Sequence, residues 1–111
     1  MIPSAALWVV MTTVSSQEEG QQLAHHLVEE RLVACAQVLP PMQSIFRWQG
    51  QVRAETEALI LLKLPAEGYA HLERRLRELH PYREPEIIAL EASQVSPSYL
   101  QWAKEQAGSQ D

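Results

Sequence analysis

An α+β fold with an antiparallel sheet is predicted by three features of the sequence. Short runs rich in β-branched residues alternate with segments of 3.6-residue apolar periodicity, a glycine separates two strand-like runs, and the prolines fall between the periodic segments. The resulting order is β, α, β, β, α, β and a terminal helix. All 111 residues (1–111) are read as one domain, since no repeat, linker or low-complexity stretch divides them.

Ala6 to Thr13 is apolar, β-branched and too short for an ordinary helix, which makes it the first strand, ended by Ser15 and Ser16. Each serine has a glutamate three residues on, Glu18 and Glu19, the spacing of a capping box, so a helix is predicted to about Ala34. Leu23, Ala24, Leu27, Val28 and Ala34 share its apolar stripe, with Glu29, Glu30 and Val33 outside. Gly20 lies inside the stripe at a cost of about 1 kcal/mol against alanine, so close approach to the backbone beneath is expected. Arg31, also inside it, is expected to snorkel near the helix end.

Cys35 to Leu39 and Ser44 to Trp48 read as one strand interrupted at Pro40 and Pro41, because proline cannot donate to a central ladder. Gly50 supplies the positive φ of a hairpin turn, and Ala58 to Leu64 is the strongest strand signal in the chain. Pro65 closes that strand. The second helix is predicted from about Ala66 to His80, with Tyr69, Leu72, Leu76 and Leu79 inward and Arg74, Arg75, Arg77 and Glu78 mostly in water. Glu73 with Arg77 and Arg74 with Glu78 are spaced as i,i+4 pairs. Pro81 ends the helix, Glu86 to Leu90 forms the fourth strand, and Ser96-Pro97 opens the last helix, with Leu100 and Ala103 packing. This is the split β-α-β order of a ferredoxin-like fold, βαββαβ with an additional C-terminal helix. With helices on one face of the sheet, the other face stays apolar along the third strand, and oligomerisation is the expected cover.

Charge and composition narrow the function. With 9 Lys and Arg against 14 Asp and Glu, and a formal charge of −5, no nucleic-acid partner is expected. Leu7 to Met11 is far shorter than the roughly 20 residues of a membrane span, so no membrane partner is expected either. Cys35 is the one cysteine, which rules out an intrachain disulfide and points to a reducing, cytoplasmic location.

The segment His80-Pro-Tyr-Arg-Glu-Pro-Glu86 concentrates an imidazole, a phenol and carboxylates between two prolines. His80 and a carboxylate such as Glu86 are suitable ligands for zinc or copper, although a metal site needs about three protein ligands. Alternatively, His80 ends the apolar stripe of its helix and is hydrogen-bonded there. Lys63, flanked by leucines, must snorkel, meet Glu57 or Glu86, or hold an anion. Trp48 forms either a pocket wall or a packing surface. Cys35 reads as a buried, inert thiol and not as a nucleophile. His25 and His26 point about 100° apart and cannot grip one ion together, and His71 falls on the exposed side of its helix. No glycine-rich phosphate loop, nucleophile elbow or HExxH is present.

Thr12-Thr13, Leu27-Val-Glu-Glu-Arg-Leu-Val-Ala-Cys35, Ser44-Ile-Phe-Arg-Trp-Gln-Gly50, His80-Pro-Tyr-x-x-Pro-Glu-Ile87 and Tyr99-Leu-x-Trp102 together resemble the CutA divalent-cation-tolerance proteins, in order and spacing across almost the whole chain. The resemblance implies a homotrimer with PII-like architecture, tolerance to copper and other divalent ions, and a pocket at subunit boundaries. It places Trp48, Glu57, Lys63, His80, Tyr82 and Glu86 around that pocket. Thr12 stands where some members carry cysteine, Phe46 where tyrosine is common, and Gln37 where asparagine is typical.

Three functions follow as expectations. The first is a non-enzymatic trimeric metal-response protein with no obligatory cofactor, binding a divalent metal ion (copper or zinc) weakly through His80 and nearby carboxylates. The second is a regulatory module for a small anionic ligand or protein partner, using Lys63 and Trp48. The third is a small hydrolase or isomerase with His80 and Glu86 as acid and base.

Overall fold

The computed structural model describes residues 6–108. Its elements are β1 (Leu7–Val14), α1 (Gln17–Glu29), β2 (Cys35–Val38), β3 (Met42–Trp48), β4 (Gln51–Pro65), a 3₁₀ turn (Ala66–Gly68), α2 (Tyr69–Leu79), β5 (Ile88–Glu91) and α3 (Pro97–Gln106). The sheet runs β2-β4-β1-β5, every pair antiparallel. The 15-residue β4 organises it. Its second half pairs with β1 from Leu7 opposite Pro65 to Val14 opposite Ala58, and with β2 on the other side. Its first half pairs only with β3. The proline pair at 40 and 41 is the break between β2 and β3, as their missing amide protons require.

Alternation along β1 and β4 sends Val10, Val14, Ile60, Leu62 and Leu64 to one face, where they meet Leu23 and Leu27 of α1 and Leu72 and Leu76 of α2. These residues are almost wholly buried, each contributing about 1.5–3 kcal/mol by removal from water. On the opposite side α3 covers one end of the sheet, with Leu100 and Ala103 against Leu7 and Ala34. The expectation of helices on one face therefore holds for α1 and α2 but not for α3. Beyond its reach Ile88 and Leu90 of β5 stand 44% and 50% exposed.

The helix starts follow the serines. Ser16 caps α1 by accepting from the Glu19 amide at 3.1 Å, and the Glu19 carboxylate accepts from the Ser15 amide. Ser96 caps α3 in the same way, with Pro97 next. The end of α1 departs from expectation. It stops at Glu29 and not near Ala34, because Arg31 turns to φ 59° and the Arg31 and Leu32 amides bond back to Val28 and Leu27. That is a Schellman motif with arginine where glycine is usual. Leaving the helix there puts Val33, outside the expected stripe, into the core at 1% exposure, while Val28, inside the stripe, is 41% exposed.

Gly20 makes the expected close approach, but to side chains and not backbone: a Cβ there would lie 2.9 Å from Val38 Cγ1 and 3.4 Å from Val14 Cγ2. On α2 the Glu73–Arg77 pair forms. The expected Arg74–Glu78 pair is replaced by Arg75, which reaches Glu78 and also clamps Glu30, the residue just after α1, with two 2.8 Å bonds.

Candidate functional site

The β3–β4 hairpin is closed by Gln49 and Gly50, both at positive φ (53° and 79°), as a two-residue hairpin loop requires. Period two along its strands then aligns Ser44, Phe46 and Trp48 with Arg53, Glu55 and Glu57 on one face, Ser44 opposite Glu55 and Phe46 opposite Arg53. The segment between α2 and β5 folds over this face. Together they form an open cavity of about 680 Å³, lined also by Thr13, Tyr82, Arg83, Glu84 and Glu86.

Tyr82 Oη donates to Glu57 Oε2 at 2.8 Å, and Glu57 is buried. Burial and this carboxylate push the phenol well above its ordinary range. The Glu86 carboxyl is raised too, by partial burial against the cavity wall and then by the charge of Glu57. Four carboxylates (Glu55, Glu57, Glu84, Glu86) face two guanidiniums (Arg53, Arg83) across the cavity, so its charge is negative.

His80 is placed behind this wall and not in it. Its Nε2–H donates to the Thr13 carbonyl at 2.9 Å, with Thr12 Oγ1 at 3.1 Å, and its Nδ1 accepts from the Tyr82 amide at 3.0 Å. A carbonyl only accepts, which fixes the tautomer. Desolvation lowers the imidazole pKa against the opposing pull of the Thr13 carbonyl, and the ring is neutral with both nitrogens engaged. The tilted His80 and Tyr82 rings pack 4.8 Å apart. Of the six residues singled out from sequence, Trp48, Glu57, Tyr82 and Glu86 share the cavity; His80 and Lys63 do not line it. Lys63 lies on β4 between Val9 and Cys35, half-buried on the face opposite α1 and α2. Phe46, noted from sequence where tyrosine is common, lines the cavity too. Arg53, Glu55 and Arg83 line it without having stood out; the period-two spacing of 53, 55 and 57 is the signal that joins Arg53 and Glu55 to Glu57.

Among the described residues no three His, Cys, Asp or Glu side chains converge. Glu57 is held by Tyr82, and His80 has no free nitrogen lone pair. His80 does not line the cavity that Glu86 lines, so the pair named from sequence as acid and base is not brought together on its wall.

A sheet of this order with three helices, and with an open, acidic, aromatic-walled cavity on its hairpin, defines a small α+β domain with an antiparallel sheet. The family model for the CutA1 divalent ion tolerance protein matches residues 8–106. The chain belongs to that family. It is 43% identical over 100 residues to the divalent-cation tolerance protein CutA of Thermus thermophilus, covering 90% of this chain and 97% of that one. It is 35% identical to the chloroplastic CutA of Arabidopsis thaliana, of which it spans 53%. Solved structures agree: CutA1 from Thermus thermophilus superposes with a TM-score of 0.87 at 42% identity over 92% of this chain and 99% of that one. CutA from Synechococcus elongatus does so with 0.90 at 37% identity, over 96% and 95%. Among the described residues no helix is long and apolar enough to cross a membrane.

Proposed function

We propose that this chain is a non-enzymatic, cytoplasmic divalent-cation tolerance protein that works as a homotrimer of ferredoxin-like subunits. In that topology β2 and β3 count as one strand broken at the proline pair. The observation that carries the reading is the convergence of Glu57 and Glu86 on one open cavity whose carboxylates outnumber its guanidiniums, four to two. Such a surface attracts divalent cations, copper or zinc, as weakly held cargo, with Glu86 as the chain's principal ligand and a neighbouring copy supplying further donors. His80, expected from sequence to coordinate, acts in this reading through Tyr82. The trimer rests on the exposed Ile88 and Leu90 beside half-buried Val9, Met11, Leu59 and Leu61.

Calorimetric titration with copper and zinc tests it. Weak saturable binding by the wild type, reduced about tenfold in Glu86→Gln, is the expected result. Identical isotherms for wild type, Glu86→Gln and Glu57→Gln would remove the cavity from the function.

One observation favours a second reading, a regulatory module for a small anion or a protein partner: Arg53 Nε is buried without a partner among the described residues, in the same cavity. Arg53 and Trp48, and not Lys63, would carry it. An anionic metabolite that raises the melting temperature of the wild type but not of Arg53→Gln distinguishes the two.

A further inference from the structure

The hairpin cavity holds a carboxylate that the protein leaves half engaged. Glu57 is 9% exposed, yet only its Oε2 is bonded, by the Tyr82 hydroxyl at 2.8 Å. Among the described residues no donor reaches its Oε1, and no lysine, arginine or histidine pairs with the carboxylate. That oxygen is not sealed inside the wall, as Arg53 Nε is; it opens on the cavity that Glu57 lines. A buried carboxylate with a free oxygen facing a cavity is satisfied by a donor from outside the chain, best of all by a cation.

The other walls define the kind of cation. Trp48, Phe46 and Tyr82 line the same space, and aromatic rings hold an organic ammonium by cation–π attraction while covering its methylene groups. A hydrated metal ion has no methylene groups to cover. Glu55 and Glu57 are two residues apart on one face of β4, which sets their backbones about 6.7 Å apart. Carboxylates so spaced suit two ammonium groups on one flexible chain better than they chelate a single ion, in keeping with the lack of three converging ligands among the described residues. The guanidiniums leave room for this. Arg53 stands opposite Phe46, toward the hairpin end and roughly 13 Å along β4 from Glu57, and Arg83 is exposed on the segment after α2.

We infer that the hairpin cavity binds a linear aliphatic diamine in its doubly protonated form, one ammonium on Glu57 and the other on Glu55, with the methylene chain against Trp48 and Phe46. This goes beyond the metal reading and does not rest on it, although both cations use Glu57.

The full chain, titrated with 1,4-diaminobutane, butylamine and magnesium chloride at neutral pH and constant ionic strength, tests the inference by calorimetry and through the indole N–H resonance of Trp48, assigned with Trp48→Leu. A saturable shift with the diamine is expected, with butylamine and magnesium each bound about tenfold more weakly or worse. Glu55→Gln, at an exposed position where folding is not at stake, is expected to weaken the diamine about tenfold and butylamine less. Trp48→Leu is expected to weaken both amines several-fold. The inference is overturned if the resonance moves no more than with sodium chloride, if butylamine or magnesium binds as tightly as the diamine, or if Glu55→Gln binds the diamine as the wild type does. Copper and zinc isotherms are read separately: a chain that takes metal but no diamine ends this inference alone, and one that takes diamine but no metal ends the metal reading alone.

Discussion

The phenol of Tyr82 and the carboxylate of Glu57 meet at 2.8 Å, joining the segment after α2 to the middle of β4. The bond shapes the hairpin cavity, because it fixes the residue that closes one side against the strand that forms the floor. Glu57 is buried, so the phenol is its substitute for water. Tyr82→Phe removes the donor and keeps the ring. Urea unfolding is expected to show a loss of about 1–3 kcal/mol, the range for leaving a buried acceptor unsatisfied. A loss below about 0.5 kcal/mol would show that solvent replaces the phenol.

His80 makes stability depend on pH. Its folded-state pKa lies below the ordinary 6.5, chiefly through desolvation. Between the two values the unfolded chain binds more protons, so stability is complete above about pH 6.5 and falls as the pH drops toward the folded value. Glu86 works the other way: its pKa is raised, chiefly by desolvation and then by the charge of Glu57, so the folded chain takes up the proton first, above its ordinary 4.5. Unfolding midpoints measured from pH 7.5 to 5.5 are expected to decline in the wild type and to decline less in His80→Gln. Parallel profiles would exclude His80 as the sensor.

The elements were legible because their signals are local: capping serines, a turn glycine, prolines at boundaries and two clear periodicities. The end of α1 was not, since Arg31 occupies a left-handed position without the glycine that advertises one. The cavity was half legible. The family resemblance placed Trp48, Tyr82, Glu57 and Glu86 around a pocket, but their meeting depends on the β3–β4 register, a long-range property that residue type does not carry. His80 was chemically conspicuous for the reason that makes it unavailable: its ring supplies the two hydrogen bonds that connect β1 to the segment after α2.

Gly20 gives a test of packing that runs against helix propensity. In an exposed helix, Gly→Ala gains about 1 kcal/mol. Here the added methyl meets Val38 Cγ1 at 2.9 Å, and valine, stiff at χ1, cannot swing aside. Overpacking of this kind costs about 1–3 kcal/mol, so Gly20→Ala is expected to lower stability on balance. Combining it with Val38→Ala should cost less than the sum of the single changes, a coupling that denaturant unfolding resolves. A stabilised Gly20→Ala protein would mean that β2 yields to the helix.

The trimer proposal predicts how β5 responds to charge. Ile88 and Leu90 stand exposed on a single copy, where a polar substitution away from packing ordinarily changes stability by no more than about 0.5 kcal/mol. If the same side chains are covered by neighbouring copies, Ile88→Glu with Leu90→Glu buries unpaired carboxylates at the contact and disfavours assembly. Light scattering is then expected to give a three-copy mass for the wild type and a smaller mass for the double variant. The wild-type melting temperature should rise with protein concentration, because assembly and folding are linked by mass action. A single-copy mass for the wild type, with a double variant equally stable, would leave the apolar strip uncovered and take the neighbouring copy's donors away from the cation site.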